Sequence, residues 1–268
     1  MNTESIAQGL LAAYDAASLM ALPSSQDVAF DLAAAFAVAD KLRTLRVARG
    51  EKPLGYKIGF TNRSIWQRYG VHAPIWGPVW SSTVRQLDGA AANISLAGLS
   101  QPRLEPEVVF GFAATPRAGM SLSELHACLA WVAHGFEIVH THFEGWRFTA
   151  PDTVADFALH GRLVVGPKVQ TAGWLSMADD LAALRVTLSC NGQEVDSGSG
   201  AVVLDGPLNA LRVWVDAMAL HTPAWHIAPG DMVTTGTITD AWPLLPGQTW
   251  TTALSGARLT PLTLNTEA

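Results

Sequence analysis

The segment LEPEVVF, residues 104–110, constrains the fold more than any other stretch because it places two acids at the start of an apolar β-strand. Side chains alternate between the two faces of a strand, so Glu105 and Glu107 share one face and lie about 6.5–7 Å apart along it. Two like charges this close need a positive partner. The sequence therefore predicts that the fold brings a cation or a basic side chain to this face.

The composition is typical of a globular protein that binds a small molecule. The chain has 268 residues, 49% of them hydrophobic and 15% charged, which is enough to bury a large core. Its net charge of -6 and the lack of a Lys/Arg cluster argue against a nucleic-acid partner. Cys128 and Cys190 have no CxxC spacing and are interpreted as reduced thiols. The sequence has neither a signal-peptide pattern nor a long apolar run, so we expect a cytoplasmic protein with no membrane partner.

The first 49 residues are predicted to be mainly helical. One helix is expected from about residue 5 to residue 20. Ser24 and Asp27 have the spacing of a capping box, with Asp in place of the preferred Glu, and predict the start of a second helix. Gly50 is a suitable stop for that helix because glycine adopts the left-handed conformation that ends many helices.

The rest of the chain is predicted to consist mainly of strands. Pro74, Gly77 and Pro78 indicate an irregular loop. Further helices are predicted at 62–70, capped by Asn62, at 121–134, opened by a capping box, and at 207–220, opened by a proline. Strands are predicted at 54–60, 104–110, 135–140, 162–166, 184–190 and 200–204. Two Pro-Gly turns in the C-terminal part are typical of a β-roll.

Lys57 and Glu137 also lie in predicted strands. Lys57 shares a strand face with Gly55 and Gly59, and glycine within a strand often marks the close approach of a ligand. The alternative for Lys57 is a solvated face. Glu137 stands within the apolar segment 136–139 and needs a partner if it is buried.

These residues suggest a divalent metal. Three carboxylates, one ammonium group and one divalent cation would together be neutral. A set of ligands made only of oxygen atoms suits Mg²⁺ or Mn²⁺ better than Zn²⁺. A zinc site built from Glu137, His140 and His142 is disfavoured because the histidines lie on the opposite face of the strand and no HExxH helix is present.

Several segments together carry a resemblance to a known family. GYKIGF, RLEPEVVF, FEIV and PDTVAD resemble, in type, order and spacing, segments of the 2-keto-4-pentenoate hydratases; they lie at 55–60, 103–110, 136–139 and 151–156. The tail motifs PLNAL, PGD, TGT and PGQ are similar too. Those hydratases, with the 4-oxalocrotonate decarboxylases, belong to the fumarylacetoacetate hydrolase superfamily.

The resemblance implies an α+β fold, a mixed β-sandwich roll with a helical N-terminal portion. We expect residues 1–75 to form that portion, including the strand of Lys57, and residues 76–268 to form the metal-binding catalytic roll. The resemblance implies that a divalent cation, Mg²⁺ or Mn²⁺, is held by three acids, and that the active-site lysine falls on Lys57. Matched by position, the acids are Glu105, Glu107 and Glu137.

The implied activity is that of a metal-dependent lyase of aromatic catabolism. Water would add to a 2-oxo-alkenoate, the keto form of a 2-hydroxydienoate, and give a 4-hydroxy-2-oxo acid. Lys57 would stabilise the oxyanion that develops, and Arg103 would bind the substrate. Trp76 and Trp80, in the predicted loop, are expected to line an apolar part of the substrate pocket. The resemblance also implies a homo-oligomer.

The match departs from the family at the groups that would transfer protons. Ile75 replaces an Asp of the hydratases, Leu159 and His160 replace a serine pair, and His140 replaces another Asp. An imidazole titrates near neutral pH, so His160 is the predicted catalytic substitute, with His72 and His140 as further candidates. A structural role is the alternative for each histidine.

Two other functions therefore stay open. A decarboxylase or a C–C hydrolase would use the same metal-bound enolate of a related 2-oxo acid. A non-catalytic assembly partner would keep the fold and the metal but lack the acid/base groups. The sequence does not decide between these functions, identify the substrate, choose between Mg²⁺ and Mn²⁺, or give the number of subunits.

Overall fold

The computed structural model describes residues 2–222 and 224–268. Within them, none of the helices combines the length and the apolar character needed to cross a membrane. The α-helices of this part of the chain are α1 Thr3–Ala16, α2 Pro23–Gln26, α3 Leu32–Ala48, α4 Trp66–Tyr69, α5 Leu122–Ala127, α6 Ala150–Ala155, α7 Met177–Ala183 and α8 Pro207–His221. Short 3₁₀ helices cover Arg63–Ile65, Glu144–Trp146, Phe157–Leu159 and Gly200–Val202.

The N-terminal helices begin at side-chain caps, but not all where predicted. Asn2 caps α1 and Asp31 caps α3, each by accepting a hydrogen bond from a backbone N–H three residues later. The predicted capping box at Ser24 and Asp27 was wrong, because the Ser24 N–H and hydroxyl both donate to Asp152 of α6. The long second helix consequently begins eight residues later than expected, after the single turn of α2.

The strands form two sheets. They are β1 Pro53–Gly59, β2 Ile75–Trp80, β3 Val84–Gln86, β4 Ala91–Ser95, β5 Arg103–Phe112, β6 Leu129–Val139, β7 His160–Val165, β8 Val169–Gln170, β9 Arg185–Cys190, β10 Gln193–Ser199, β11 Met232–Thr234, β12 Trp242–Pro243, β13 Thr249–Ser255 and β14 Thr263–Glu267. The larger sheet has the order β2-β1-β11-β5-β6-β7-β3, with β12 added to β5 and β8 to β6. The smaller sheet has the order β10-β9-β13-β14-β4.

The two faces of the larger sheet have different roles. One face carries apolar side chains such as Leu104, Phe136 and Ile138, which pack with Leu188 and Trp250 of the smaller sheet. Further along, the same face packs on the helices, which include α3 and α8. The opposite face carries the acids, since side chains alternate along a strand. The mixed fold of helices and two sheets agrees with the predicted α+β sandwich roll.

Three predictions of local structure were wrong. The loop predicted around Pro78 is strand β2, and proline is tolerated there because β2 lies at the sheet edge. The helix predicted to end at residue 134 stops at Ala127, because Trp131 and Val132 pair with β5 instead. The strand predicted at 200–204 is a 3₁₀ helix, and Gly200 there packs against the backbone of α7.

Other local predictions were confirmed. Ser121 and Glu124 form a complete capping box at the start of α5. Asn62 caps the turn before α4, and Gly70 ends α4 in the left-handed conformation. Helix α8 begins with Pro207, as predicted. The predicted division after residue 75 falls within the first residues of β2, and it stays a prediction.

Candidate active site and metal centre

The register of β5 and β6 brings the three glutamates together. Glu105 lies directly opposite Glu137, and Glu107 follows two residues along β5 on the same face. Each glutamate offers a carboxylate oxygen, and these oxygens lie within 4.8 Å of one another. Glu107 and Glu137 are fully buried, whereas Glu105 is partly exposed. The structure thus brings together the three acids that the sequence singled out.

Lys57 joins the acids from the neighbouring part of the sheet. It pairs with Thr234 of β11, which in turn pairs with Val109 of β5, so its side chain lies on the face of the acids. The side chain is only 2% exposed, which contradicts the solvated-face alternative, and its Nζ lies 3.2 Å from Glu137 Oε2. Burial lowers the pKa of Lys57, but the glutamates, led by Glu137, raise that pKa more, so the ammonium form is favoured.

The two oxygens of Glu107 have different surroundings. Oε2 accepts hydrogen bonds from the Gly236 N–H at 2.7 Å and from the Thr234 hydroxyl. Oε1 is buried and has no hydrogen-bond partner among the described residues. These contacts give the TGT motif, residues 235–237, a structural role that the sequence did not predict. They also leave one carboxylate oxygen available for a further ligand.

The three acids have raised pKa values. Burial, together with repulsion from Glu137, raises the pKa of Glu107 to about 8. Burial raises the pKa of Glu105 to about 8 and that of Glu137 to about 7, against the opposing effect of Lys57. An all-oxygen donor set, a buried oxygen with no partner and surplus negative charge all fit a divalent cation of the Mg²⁺ or Mn²⁺ type.

A cavity of about 180 Å³ opens beside Glu105. Its polar lining comprises Lys57, Thr61, Asn62, Arg103, Glu105, Thr237, Thr239 and Asp240. Its apolar lining comprises Phe60, Ile65, Ile75, Val139, Trp146, Phe148, Ala158 and Leu159. The guanidinium of Arg103 lies 4.2 Å from the centre of the Trp146 ring, a cation–π contact. The sequence did not single out Trp146 and Phe148 for this cavity.

Trp76 and Trp80 do not line this cavity, which corrects the expectation that they contact substrate. Trp76 is 2% exposed, donates from Nε1 to the Thr222 hydroxyl at 3.2 Å and packs on Phe36. Trp80 lies under the guanidinium of Arg46. Both were expected in a loop, and pairing of β2 with β1 places them in the core instead.

His160 lies behind Glu137 and not in the cavity. Its Nδ1 is 2.8 Å from Glu137 Oε1, its Nε2 is 2.8 Å from the Thr83 hydroxyl, and its side chain is fully buried. Burial, followed by the nearby charge of Lys57, holds the pKa of His160 well below 6.5. The neighbouring Leu159 faces the cavity in its place. These contacts place His160 beside Glu137 but out of reach of the cavity.

The other candidate histidines also lie elsewhere. His72 is exposed and is not part of the cavity lining. His140 is buried against Tyr14 and His142, and burial lowers its pKa to about 3. Neither histidine lines the cavity, and the packing of His140 agrees with a structural role for that residue. Asp156 of the PDTVAD motif also has a structural role, since it accepts hydrogen bonds from His142.

Comparison with known proteins identifies the family. No model of a known protein family matches the chain. The chain is 33% identical over 213 residues to a 2-hydroxyhexa-2,4-dienoate hydratase of Comamonas testosteroni. The aligned residues cover 79% of this chain and 78% of that protein. The chain is 30% identical over 210 residues to a 2-keto-4-pentenoate hydratase of Burkholderia vietnamiensis, which covers 78% and 76%. The chain belongs to the 2-keto-4-pentenoate hydratase and 4-oxalocrotonate decarboxylase family.

Solved structures agree with this family membership. A 4-oxalocrotonate decarboxylase from Pseudomonas putida G7, in complex with magnesium and adipate, superposes with a TM-score of 0.89 at 25% identity and covers 98% of this chain and 97% of its own. A fumarylpyruvate hydrolase from Pseudomonas aeruginosa, in complex with Mn²⁺ and pyruvate, has a TM-score of 0.61 at 13% identity, covering 79% and 88%. At that identity, the second likeness shows the shared fold alone. The chain described above therefore has the fold of the fumarylacetoacetate hydrolase superfamily.

Proposed function

We propose that this protein is a divalent-metal-dependent hydro-lyase that adds water to a 2-oxo-alkenoate and gives a 4-hydroxy-2-oxo acid. The observation that carries the proposal is the convergence of Glu105, Glu107 and Glu137 with Lys57 beside one cavity. The hydratase names of the related proteins support water addition as the reaction. A role in aromatic catabolism and a homo-oligomeric state belong to the same proposal.

The three glutamates would hold the metal, for which we propose Mg²⁺ or Mn²⁺. When bound, a divalent cation supplies the positive charge that stabilises the enolate of a 2-oxo acid. Glu107 is oriented for this role by Gly236 and Thr234, which fix one of its oxygens and leave the other unpartnered. The 4-oxalocrotonate decarboxylase of known structure contains magnesium, which supports a divalent cation of this class.

Lys57 and Arg103 would act directly on the substrate. The Lys57 ammonium is held in the sheet by Glu137 and lines the cavity, so its charge is fixed where a substrate oxygen becomes negative. Arg103 lines the same cavity with its guanidinium stacked on Trp146, a geometry that suits the planar carboxylate of a 2-oxo acid. The raised pKa of Lys57, caused mainly by Glu137, keeps its ammonium charged at neutral pH.

The apolar part of the cavity would receive the alkene end of the substrate. Ile75 and Leu159, which replace polar residues of the hydratases, contribute to this wall. Polar groups remain on the other part of the lining, among them Asn62, Thr237 and Asp240. We propose that the water that adds to the substrate enters along these groups.

A substrate panel tests the proposed reaction. The protein, loaded with Mg²⁺ or Mn²⁺, is incubated with 2-hydroxydienoates of increasing chain length, 4-oxalocrotonate and an acylpyruvate, and the products are read by NMR. A 4-hydroxy-2-oxo acid supports the hydratase. Release of CO₂ would identify a decarboxylase, and formation of pyruvate with a second acid would identify a C–C hydrolase. No turnover of any of these acids would favour the non-catalytic assembly partner.

Calorimetric titration tests the metal site separately. Protein freed of metal by a chelator should bind one Mn²⁺ per chain. The Glu107→Gln variant should lose most of the heat of binding, because it has one negative charge and one good ligand fewer. The matched control is Glu194→Gln, which changes an exposed glutamate of β10. Retained binding in Glu107→Gln would rule out the site of three glutamates.

A further inference from the structure

We propose that His160 and Thr83 form a positioning pair that orients Glu137 toward Lys57 and the metal site, and that His160 takes no part in proton exchange with the substrate. The proposal rests on the metal site of the proposed function. It assigns a role to Thr83, which no sequence motif indicated, and it replaces the catalytic role predicted for His160.

The carboxylate of Glu137 is held at both oxygens. Oε1 lies 2.8 Å from His160 Nδ1, and Oε2 lies 3.2 Å from Lys57 Nζ. All three side chains are buried within the sheet, at 3% exposure or less. A carboxylate held at both ends has little freedom to rotate, so its orientation toward Glu105 and Glu107 is set before any ligand binds.

The hydrogen bonds assign the tautomer of His160. When Glu137 is ionised, its carboxylate only accepts, so the proton lies on Nδ1, which donates to Glu137. Nε2 then accepts from the Thr83 hydroxyl at 2.8 Å. That hydroxyl in turn accepts from the Trp80 N–H at 3.2 Å. The Thr83 hydroxyl also lies 3.1 Å from the Trp80 carbonyl, but that carbonyl already accepts from the Thr83 N–H at 2.9 Å. The shorter contact, with the imidazole, is therefore the better use of the hydroxyl proton. Every polar atom of the pair is then satisfied.

The backbone before β7 explains why His160 turns away from the cavity. Phe157, Ala158 and Leu159 all have positive φ, at 55°, 51° and 65°. Such values cost an L-residue on the order of 1 kcal/mol each, so the turn is retained only because the packing around it imposes it. It presents Ala158 and Leu159 to the cavity and directs His160 into the sheet, behind Glu137.

Two matched pairs of variants test the proposal. The amide nitrogen of asparagine can replace Nδ1 of histidine, whereas that of glutamine replaces Nε2. His160→Gln should therefore lose the bond to Glu137 and His160→Asn should keep it. Likewise, Thr83→Val removes the hydroxyl with little change of shape, and Thr83→Ser keeps it. The readout is Mn²⁺ affinity of the chelated protein by calorimetry, with circular dichroism to confirm folding.

We expect His160→Gln and Thr83→Val to weaken Mn²⁺ binding about 10- to 100-fold, the range found when the residues that orient metal ligands are removed. His160→Asn and Thr83→Ser should stay within about threefold of the wild-type affinity, since each keeps the orienting hydrogen bond. Equal affinities within both pairs would overturn the positioning role. So would a His160→Gln variant that keeps Mn²⁺ affinity but loses the pH dependence of turnover.

A measurement that needs neither metal nor substrate separates this proposal from the proposed function. Long-range ¹H–¹⁵N correlation spectra of the histidine rings report the tautomer of each. For His160 we expect the neutral Nδ1–H form above about pH 8, where Glu137 is ionised, and the Nε2–H form at that pH would overturn the assignment. If the wild-type chain binds Mn²⁺ and shows this tautomer but converts no 2-oxo acid, the proposed function fails and the positioning pair stands.

Discussion

At the scale of single residues, the charge balance of four clustered side chains governs what the site can bind. Lys57 lowers the pKa values of Glu105, Glu107 and Glu137, but burial, with repulsion among the acids, raises these values more. One ammonium group leaves the three carboxylates with surplus negative charge when they are ionised. A divalent cation would compensate this surplus. The surplus negative charge of the three glutamates would favour a cation over an uncharged ligand at this centre. The bound cation would in turn bind an anionic substrate.

Replacing Lys57 tests whether its charge acts on the substrate. Lys57→Met keeps most of the side-chain length but removes the ammonium group. We expect kcat/KM to fall by roughly two to three orders of magnitude, about 3–4 kcal/mol of transition-state stabilisation, as for other groups that stabilise an oxyanion. The control is Lys52→Met, which changes an exposed lysine just before β1. Near-normal turnover in Lys57→Met would assign Lys57 to the structure of the sheet alone.

The residues of the centre were predictable from the sequence to different degrees. Glu105 and Glu107 were found by strand alternation, and Glu137 by its position within an apolar segment. The placement of His160 was not predictable, because three successive non-glycine residues with positive φ turn it away from the cavity and no local propensity indicates such a turn. The contact of Thr83 with His160 spans 77 residues of sequence and leaves no local pattern.

At the scale of elements, the pairing of β1 with β11 positions Lys57. The two strands run parallel, with Gly55 opposite Met232 and Lys57 opposite Thr234. Gly55 has a φ of 133°, and a Cβ at this position would overlap the backbone carbonyl of Met232. The glycine before Lys57 therefore serves the close approach of a neighbouring strand, whereas the sequence had suggested an approaching ligand.

Gly55→Ala tests this close approach. We expect it to destabilise the protein by roughly 2–4 kcal/mol, because the variant combines an unfavourable φ with a collision that separates β1 from β11. The control is Gly50→Ala, which also has positive φ but has open space around the added methyl group, and should cost only about 1–2 kcal/mol. Urea unfolding of both variants gives the comparison. Equal losses would mean that backbone conformation alone requires glycine at position 55.

Elements were predicted well where local signals and tertiary structure agree. The capping box at Ser121 and the proline at the start of α8 both gave the correct helix start. The end of α5 was missed because β6 extends to Leu129 to pair with β5, a long-range interaction that overrides local helix signals. Strand β2 was missed because a sheet edge tolerates Pro78, and edge position is not visible in the sequence.

At the scale of the whole molecule, buried titratable groups predict that the proposed metal site is coupled to folding. The acids of the centre have folded-state pKa values raised to about 7–8 from 4.5, so the native state binds more protons than the unfolded chain in that interval. Buried His134 acts in the opposite direction, since burial lowers its pKa from 6.5 to about 4. Its contribution to stability therefore rises with pH and is complete near pH 6.5.

Between pH 6.5 and about 8 the acids should therefore dominate, and the free energy of unfolding of the metal-free protein should fall as pH rises. Each unit of pKa corresponds to about 1.4 kcal/mol, so we expect a loss on the order of 2–4 kcal/mol over this range. Urea unfolding in the presence of a chelator measures this loss of stability.

Glu107→Gln should flatten the decline because it removes one of the titrating carboxylates, and Glu194→Gln should not. Saturating Mn²⁺ should abolish the decline, because a bound cation keeps the carboxylates ionised in the folded state. A metal-free protein whose stability is constant across this range would show that the three acids do not share one buried centre.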